Sequence, residues 1–170
     1  VKFIRNKAFK NCESLTEIIF SHDLEILEEG VFENCKSLKE IDFPMDISVI
    51  ENRLFKNCTN LEKINITGDL FEIGEESFKN CKNLNSINGL EKVFLIDTNA
   101  FEGCDKLTHI SLGEIVDIQG SLPQHIIIQD GNNSLGIPGN NGEGNNGEGN
   151  NGEGNNGEGN NGEGNNGEGN

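Results

Sequence analysis

Long apolar runs, basic residues and catalytic signatures are what this sequence lacks. No stretch of about 18 consecutive apolar residues occurs, so no segment reads as a membrane-spanning helix. The opening VKFIRNKAFK has no apolar core of a signal peptide. Lys and Arg number 13 against 29 Asp and Glu, a net charge of −16. Such a balance repels phosphate backbones and anionic membranes, which argues against nucleic acid and favours a protein partner with a basic surface. There is no phosphate loop, nucleophile elbow or HExxH motif, and His22, His109 and His125 share no common place in the pattern described below. No catalytic, cofactor-binding or metal-ligating residue is assigned, and the chain reads as a non-enzyme that needs no cofactor. The five cysteines are an odd number with no C-x-x-C spacing, so no disulfide framework is signalled. Unpaired thiols favour a reducing, cytoplasmic setting.

What is present is a repeat. FKNC, FENC, FKNC, FKNC and FEGC place Cys12, Cys35, Cys58, Cys81 and Cys104 at intervals of 23 residues. Aligned on the cysteine, five apolar columns hold in all five copies. They are Val1, Leu24, Ile47, Leu70, Val93; Ile4, Leu27, Ile50, Ile73, Ile96; Phe9, Phe32, Phe55, Phe78, Phe101; Leu15, Leu38, Leu61, Leu84, Leu107; and Ile18, Ile41, Ile64, Ile87, Ile110. A sixth, Phe20, Phe43, Ile66 and Leu112, fails only at Gly89. Val1 already lies inside the pattern, as expected of a fragment or a trimmed chain. Apolar side chains contribute ~1.5–3 kcal/mol each, and the few in one copy cannot offset ordering its backbone at ~1–2 kcal/mol per residue. Copies must therefore stack, each column packing on its own next member.

Within a copy, LTEIIF, LKEIDF, LEKINI and LTHISL alternate and are rich in β-branched residues, which predicts a short parallel strand. The segment before each cysteine predicts one helical turn, with Glu28, Glu29, Glu75 and Glu76 at its start and Lys10, Lys56 and Lys79 near its end, matching the helix dipole. Asn11, Asn34, Asn57, Asn80 and Gly103 precede the cysteines. Asn and Gly share tolerance of the left-handed conformation that ends helices. The cysteines read as small, buried, unpaired bricks. Side chains stacked in a column point in parallel, which suits neither a disulfide nor the convergent ligands of a zinc site.

The pattern L-x-x-I-x-F…L-x-x-I-x-x-x-x-F-x-N-C resembles the BspA-type leucine-rich repeat of surface-associated bacterial and protist proteins. LKEIDFPMDISVIENRLFKNC (38 to 58) and LEKINITGDLFEIGEESFKNC (61 to 81) carry the resemblance. It departs from the family where Pro after the strand occurs only at Pro44, where Ile-Gly occurs only at Ile73-Gly74, and where INGL interrupts the fourth strand. The expected fold is an α/β repeat solenoid of leucine-rich-repeat type, five 23-residue coils with short parallel strands on the inner face. The resemblance implies recognition or adhesion through that face, without catalysis, and association with a cell surface. The outward strand positions are the candidate partner-binding residues: Glu17 and Ile19, Glu40 and Asp42, Lys63 and Asn65, Ser86 and Asn88, His109 and Ser111. The alternative is a structural solenoid that self-associates through its ends.

Three segments follow. Residues 1–115 are the five repeats, and 116–139 a degenerate sixth coil and C-terminal cap with HIIIQ as its strand. Residues 140–170, NNGEG six times over, offer nothing apolar to bury and read as a disordered tail. Six of the 29 acidic residues and no base lie in that tail, leaving 13 bases, 23 acids and a net charge of −10 for the rest. Deleting residues 140–170 is expected to leave the melting temperature unchanged and to reduce the hydrodynamic radius. A fall in melting temperature would show that the tail packs on the repeats.

Overall fold

Alternation within each repeat produces strands too short to form a sheet alone, and stacking supplies their partners. The computed structural model describes residues 1–130 and the strand at 133–138. In chain order the strands are β1 (Phe3–Ile4), β2 (Ile26–Leu27), β3 (Glu40–Phe43), β4 (Val49–Ile50), β5 (Lys63–Ile66) and β6 (Glu72–Ile73). They continue as β7 (Ser86–Asn88), β8 (Leu95–Ile96), β9 (His109–Leu112), β10 (Asp117–Ile118), β11 (Ile127–Asp130) and β12 (Asn133–Pro138). The coils after the first contribute to two sets of parallel strands. The first runs β3-β5-β7 with Ile41, Ile64 and Ile87 in register, and β9-β11 beyond it, with β12 antiparallel on β11. The second runs β4-β6-β8-β10, with β1-β2 as a separate pair. This parallel-strand solenoid of leucine-rich-repeat type matches the expected fold, with the second ladder as an addition.

Between the ladders lies one core. Phe32, Phe55, Phe78 and Phe101 are buried, and successive rings from Phe9 to Phe101 stack nearly parallel at 5.6, 5.5, 5.6 and 5.4 Å between centroids. The leucine and isoleucine columns surround this stack. The hydroxyl of Ser77, in the column of Val31 and Leu54, is buried without a hydrogen-bond partner among the described residues.

The expected helical turn is not formed: no helix occurs among the described residues. Every second N–H closes a local turn, as from Ala8 to Arg5 (3.1 Å), Lys10 to Lys7 (3.0 Å) and Cys12 to Phe9 (3.1 Å). The intervening ones reach the next coil, as from Lys7 to Glu29 (3.0 Å), Phe9 to Val31 (2.9 Å) and Asn11 to Glu33 (2.8 Å). A helix is ~10 Å across, and coils spaced about one strand apart, ~4.8 Å, leave no room for one. The corner is therefore a run of tight turns. The predicted asparagine column is left-handed, at φ 64°, 64°, 62° and 62° for Asn11, Asn34, Asn57 and Asn80, with Gly103 at 73°. A second left-handed column four residues earlier, Lys7, Gly30, Arg53, Glu76 and Asn99, was not anticipated. Four of its five members carry a Cβ in a conformation that costs ~1–2 kcal/mol. N–H bonds to the next coil, as from Lys7 to Glu29, Arg53 to Glu75 and Glu76 to Thr98, and carbonyls that close the local turn hold them there.

Two further departures interrupt the first ladder. LTEIIF, expected as a strand, is unpaired: residues 15–20 form no strand with β3. Pairing in the repeat's register would set Glu17 beside Glu40, and adjacent like charges oppose it. At the other end β7 stops at Gly89, whose φ is 89° and whose added Cβ would lie 2.3 Å from the carbonyl oxygen of Ile66, and β7 does not pair with β9. After β10 the chain reaches β11 in nine residues (118 to 127), where the preceding coil takes 13 from Ile96 to His109. The sixth coil thus drops its corner. The expectation of disorder for 140–170 lies outside the described residues.

Phe55→Ala, with ring neighbours on both sides, is expected to cost ~3–5 kcal/mol in chemical denaturation, and Phe9→Ala in the end coil less. Equal, small shifts for both would show that the ring column does not carry the core.

Candidate functional site

Because side chains alternate along a strand, the residues between the buried isoleucines face outward on the first ladder. Glu17, Glu40, Lys63, Ser86 and His109 form one column, and Ile19, Asp42, Asn65, Asn88 and Ser111 the other. The six residues on β3, β5 and β7 are brought together in one hydrogen-bonded sheet. There the amide of Asn65 donates to the carboxylate of Asp42 (2.6 Å) and that of Asn88 to the side-chain oxygen of Asn65 (3.3 Å). Glu17 and Ile19 lie across the unpaired junction with β3, and His109 and Ser111 across the one beyond β7. The candidate face therefore has three panels. A cleft of about 470 Å³ opens at the first junction, lined by residues of both segments. Charge passes from acidic in coils 1 and 2 to neutral polar in coils 4 and 5. His109 is exposed, and its Nδ1 lies 2.8 Å from the hydroxyl of its neighbour Thr108.

The sequence reading passed over Phe71 and Phe94, 39 and 55% exposed and in ring contact at 6.2 Å. They stand at the position that Lys2, Glu25 and Ser48 occupy in earlier coils, an aromatic break in a polar column. That irregularity was the available signal.

The charged corner is structural. Glu76 meets Lys56 at 2.6 Å, Lys79 at 3.0 Å and Arg53 at 3.1 Å. Hydrogen bonds from Lys56, then Lys79 and Arg53, hold its carboxyl down at about 2. Glu29 pairs with Arg53 (2.9 Å) and Lys10 with Glu33 (2.8 Å). These groups bind the next coil rather than complementing a helix dipole.

The cysteines also have a structural task. The thiols of Cys35, Cys58, Cys81 and Cys104 donate at 3.1 Å to the carbonyls of Phe9, Phe32, Phe55 and Phe78 in the preceding coil. Burial pushes the Cys35 thiol up to about 11 and Cys104 to about 12, and raises Cys58 and Cys81 as well. Cys12, read from sequence as buried, is exposed in the first described coil. Among the described residues no three His, Cys, Asp or Glu side chains converge as metal ligands, and no helix is long and apolar enough to cross a membrane.

A family model described as BspA type leucine rich repeat region matches residues 2–122 in six copies. No curated protein matches the chain. Among solved structures, it is similar to a leucine rich cell surface protein from Faecalibacterium prausnitzii, with 24% identity, a TM-score of 0.53, and 68% of this chain and 36% of that one covered. It is also similar to a leucine-rich repeat protein from Bacteroides ovatus, with 22% identity, a TM-score of 0.52, and 76% of this chain and 43% of that one covered. The chain thus spans less than half the length of either, and at these identities the likeness is one of fold.

A thiol reagent is expected to modify Cys12 rapidly in the native protein and all five cysteines in denaturant. Rapid native modification of Cys58 or Cys81 would contradict the assigned packing.

Proposed function

The chain belongs to the BspA-type leucine-rich repeat family, and from that premise we propose that it is a non-catalytic protein-binding or adhesion module acting through its strand-lined face. The observation that carries this reading is the contrast between the two sides of one ladder. The inward residues Ile41, Ile64 and Ile87 are identical and buried, whereas their outward neighbours Glu40, Lys63 and Ser86 change chemistry at every step on the same fixed spacing. A rigid scaffold that varies only its outward side chains suits recognition, because presenting them costs little further ordering. The acidic balance favours a partner with a basic surface. In this reading 116–139 cap the solenoid and 140–170 are a solvated spacer.

A second reading is self-association of solenoids. Val1, Phe3, Ile4, Phe9, Ile18 and Phe20 line an apolar cleft of about 560 Å³ on the first described coil. Light scattering separates the two, since a mass that rises with concentration supports association.

In a pull-down with the full chain as bait, Glu40→Lys with Asp42→Lys, or Ser86→Arg with Asn88→Arg, is expected to abolish retention of a partner held by the unaltered chain, while Lys82→Glu, on the outer corner, leaves it. Retention insensitive to both face variants would refute the assignment of the face.

A further inference from the structure

From β3 to β7 neighbouring strands exchange backbone hydrogen bonds, and these extend to the strand entrances, from Glu62 N–H to the carbonyl of Lys39 (2.7 Å) and from Asn85 N–H to that of Glu62 (3.0 Å). Where coil 1 would continue this pattern, none joins residues 16–20 to residues 39–43 among the described residues. The coil 1 side of β3 is thus an open strand edge facing the 470 Å³ cleft. An open edge offers unpaired N–H and C=O groups to any extended chain laid along it.

The flanks of the cleft carry a definite sign. Glu17, Glu40 and Asp42 are exposed and line it, with Lys39 as the one cation in the lining. The ion pairs elsewhere on the molecule consume the acids of the corner and of β2's coil, such as Glu25, Glu28, Glu29 and Glu33. None of the three cleft carboxylates takes part in one among the described residues. Ile19, 86% exposed, adds an apolar contact beside them. The second interruption, between β7 and β9, is flanked by Ser86, Asn88, His109 and Ser111 and has no carboxylate in these columns.

We propose that the gap between coils 1 and 2 binds an extended, basic peptide segment of a protein partner, whose backbone pairs with the open edge of β3 and whose lysine or arginine side chains meet Glu17, Glu40 and Asp42. Alternate side chains of an extended segment point to the same side, so the matching segment carries its basic residues at every second position. The side chains between them point to the opposite, core side, where Ile18 and Phe20 line the cleft, and are apolar. The proposal rests on the protein-binding reading of the face and narrows it to one end, one backbone geometry and one sign of charge.

The test titrates the full chain against a short, fluorescently labelled peptide of alternating lysine and valine. Two controls accompany it: glutamate in place of lysine, and the lysine peptide N-methylated at alternate backbone nitrogens. The lysine peptide is expected to bind and the glutamate peptide not. N-methylation keeps the charge but removes strand-pairing donors, and is expected to weaken binding at least tenfold. A triple variant, Glu17→Gln, Glu40→Gln and Asp42→Asn, is expected to weaken it by about tenfold through three exposed ion pairs with an unchanged melting temperature. Equal affinity for the methylated and unmethylated peptides overturns the proposal, as does full binding by the triple variant or none by the unaltered chain. If the lysine peptide fails while partner retention still depends on Ser86 and Asn88, this proposal falls and the face remains a binding surface. If neither peptide nor partner responds to any substitution on the face, both fall.

Discussion

The carbonyl oxygen of each phenylalanine from Phe9 to Phe78 accepts two hydrogen bonds, one from the N–H of the cysteine three residues on and one from the thiol of the next coil. The first bond closes the turn, and the second fixes its distance from the turn that follows. Both are satisfied only if successive coils stand about one strand spacing apart, and the ring stacking at 5.4–5.6 Å follows the same spacing. A serine in the cysteine's place would offer a similar donor but carry a more polar atom into the core. Alanine would fill the space and leave the carbonyl with one partner. Cysteine combines a weak donor with an apolar volume, and burial pushes its thiol away from the thiolate that redox or metal chemistry would need.

Once the spacing is set, every other column must suit it. Side-chain amides run from Asn80 through Asn57 and Asn34 to Asn11 at 2.9, 2.8 and 2.7 Å. The ladder stops at Gly103, where an added Cβ would lie 2.6 Å from the side-chain oxygen of Asn80. On the surface the same beat pairs Lys2 with Glu25, Arg5 with Glu28 and Lys36 with Glu13. Exposed pairs of this kind contribute little each. Where opposite charges alternate between coils they nonetheless agree with the stacking, and where Glu17 meets Glu40 the strand ladder is open. Coil 1 is thus joined to coil 2 through rings, turns and ion pairs but not through its face.

That division shapes what the face can do. A continuous sheet would present ten outward residues as one surface. The interruptions at residues 15–20 and at Gly89 instead divide it into the Glu17–Ile19 segment, a hydrogen-bonded centre whose Glu40 and Asp42 lie nearest that segment and whose Asp42, Asn65 and Asn88 side chains are linked, and a neutral polar end beside β11. The linked side chains of the centre suit a fixed contact. The strand edges flanking the two interruptions have backbone groups to offer.

The fold was legible in the sequence because a period of 23 residues over five copies repeats every packing decision five times, so the Phe and Ile columns and the Asn and Gly turn position stand out against variable neighbours. The outward candidates were legible for the same reason, since alternation fixes which side of a strand a residue occupies. What the sequence could not decide was how far neighbouring coils agree in three dimensions. A helical turn and a chain of tight turns share one pattern of apolar residues, and only the distance to the next coil rules out the helix. Cys12 has the same local sequence as Cys58, yet it is exposed because burial depends on a neighbour and not on the residue itself. The left-handed positions of Lys7, Arg53 and Glu76 carry no compositional mark, being held by bonds to adjacent coils. The gap beside β3 arises in the same way, since it depends on which residue lies across from Glu17, and that is set by register between coils.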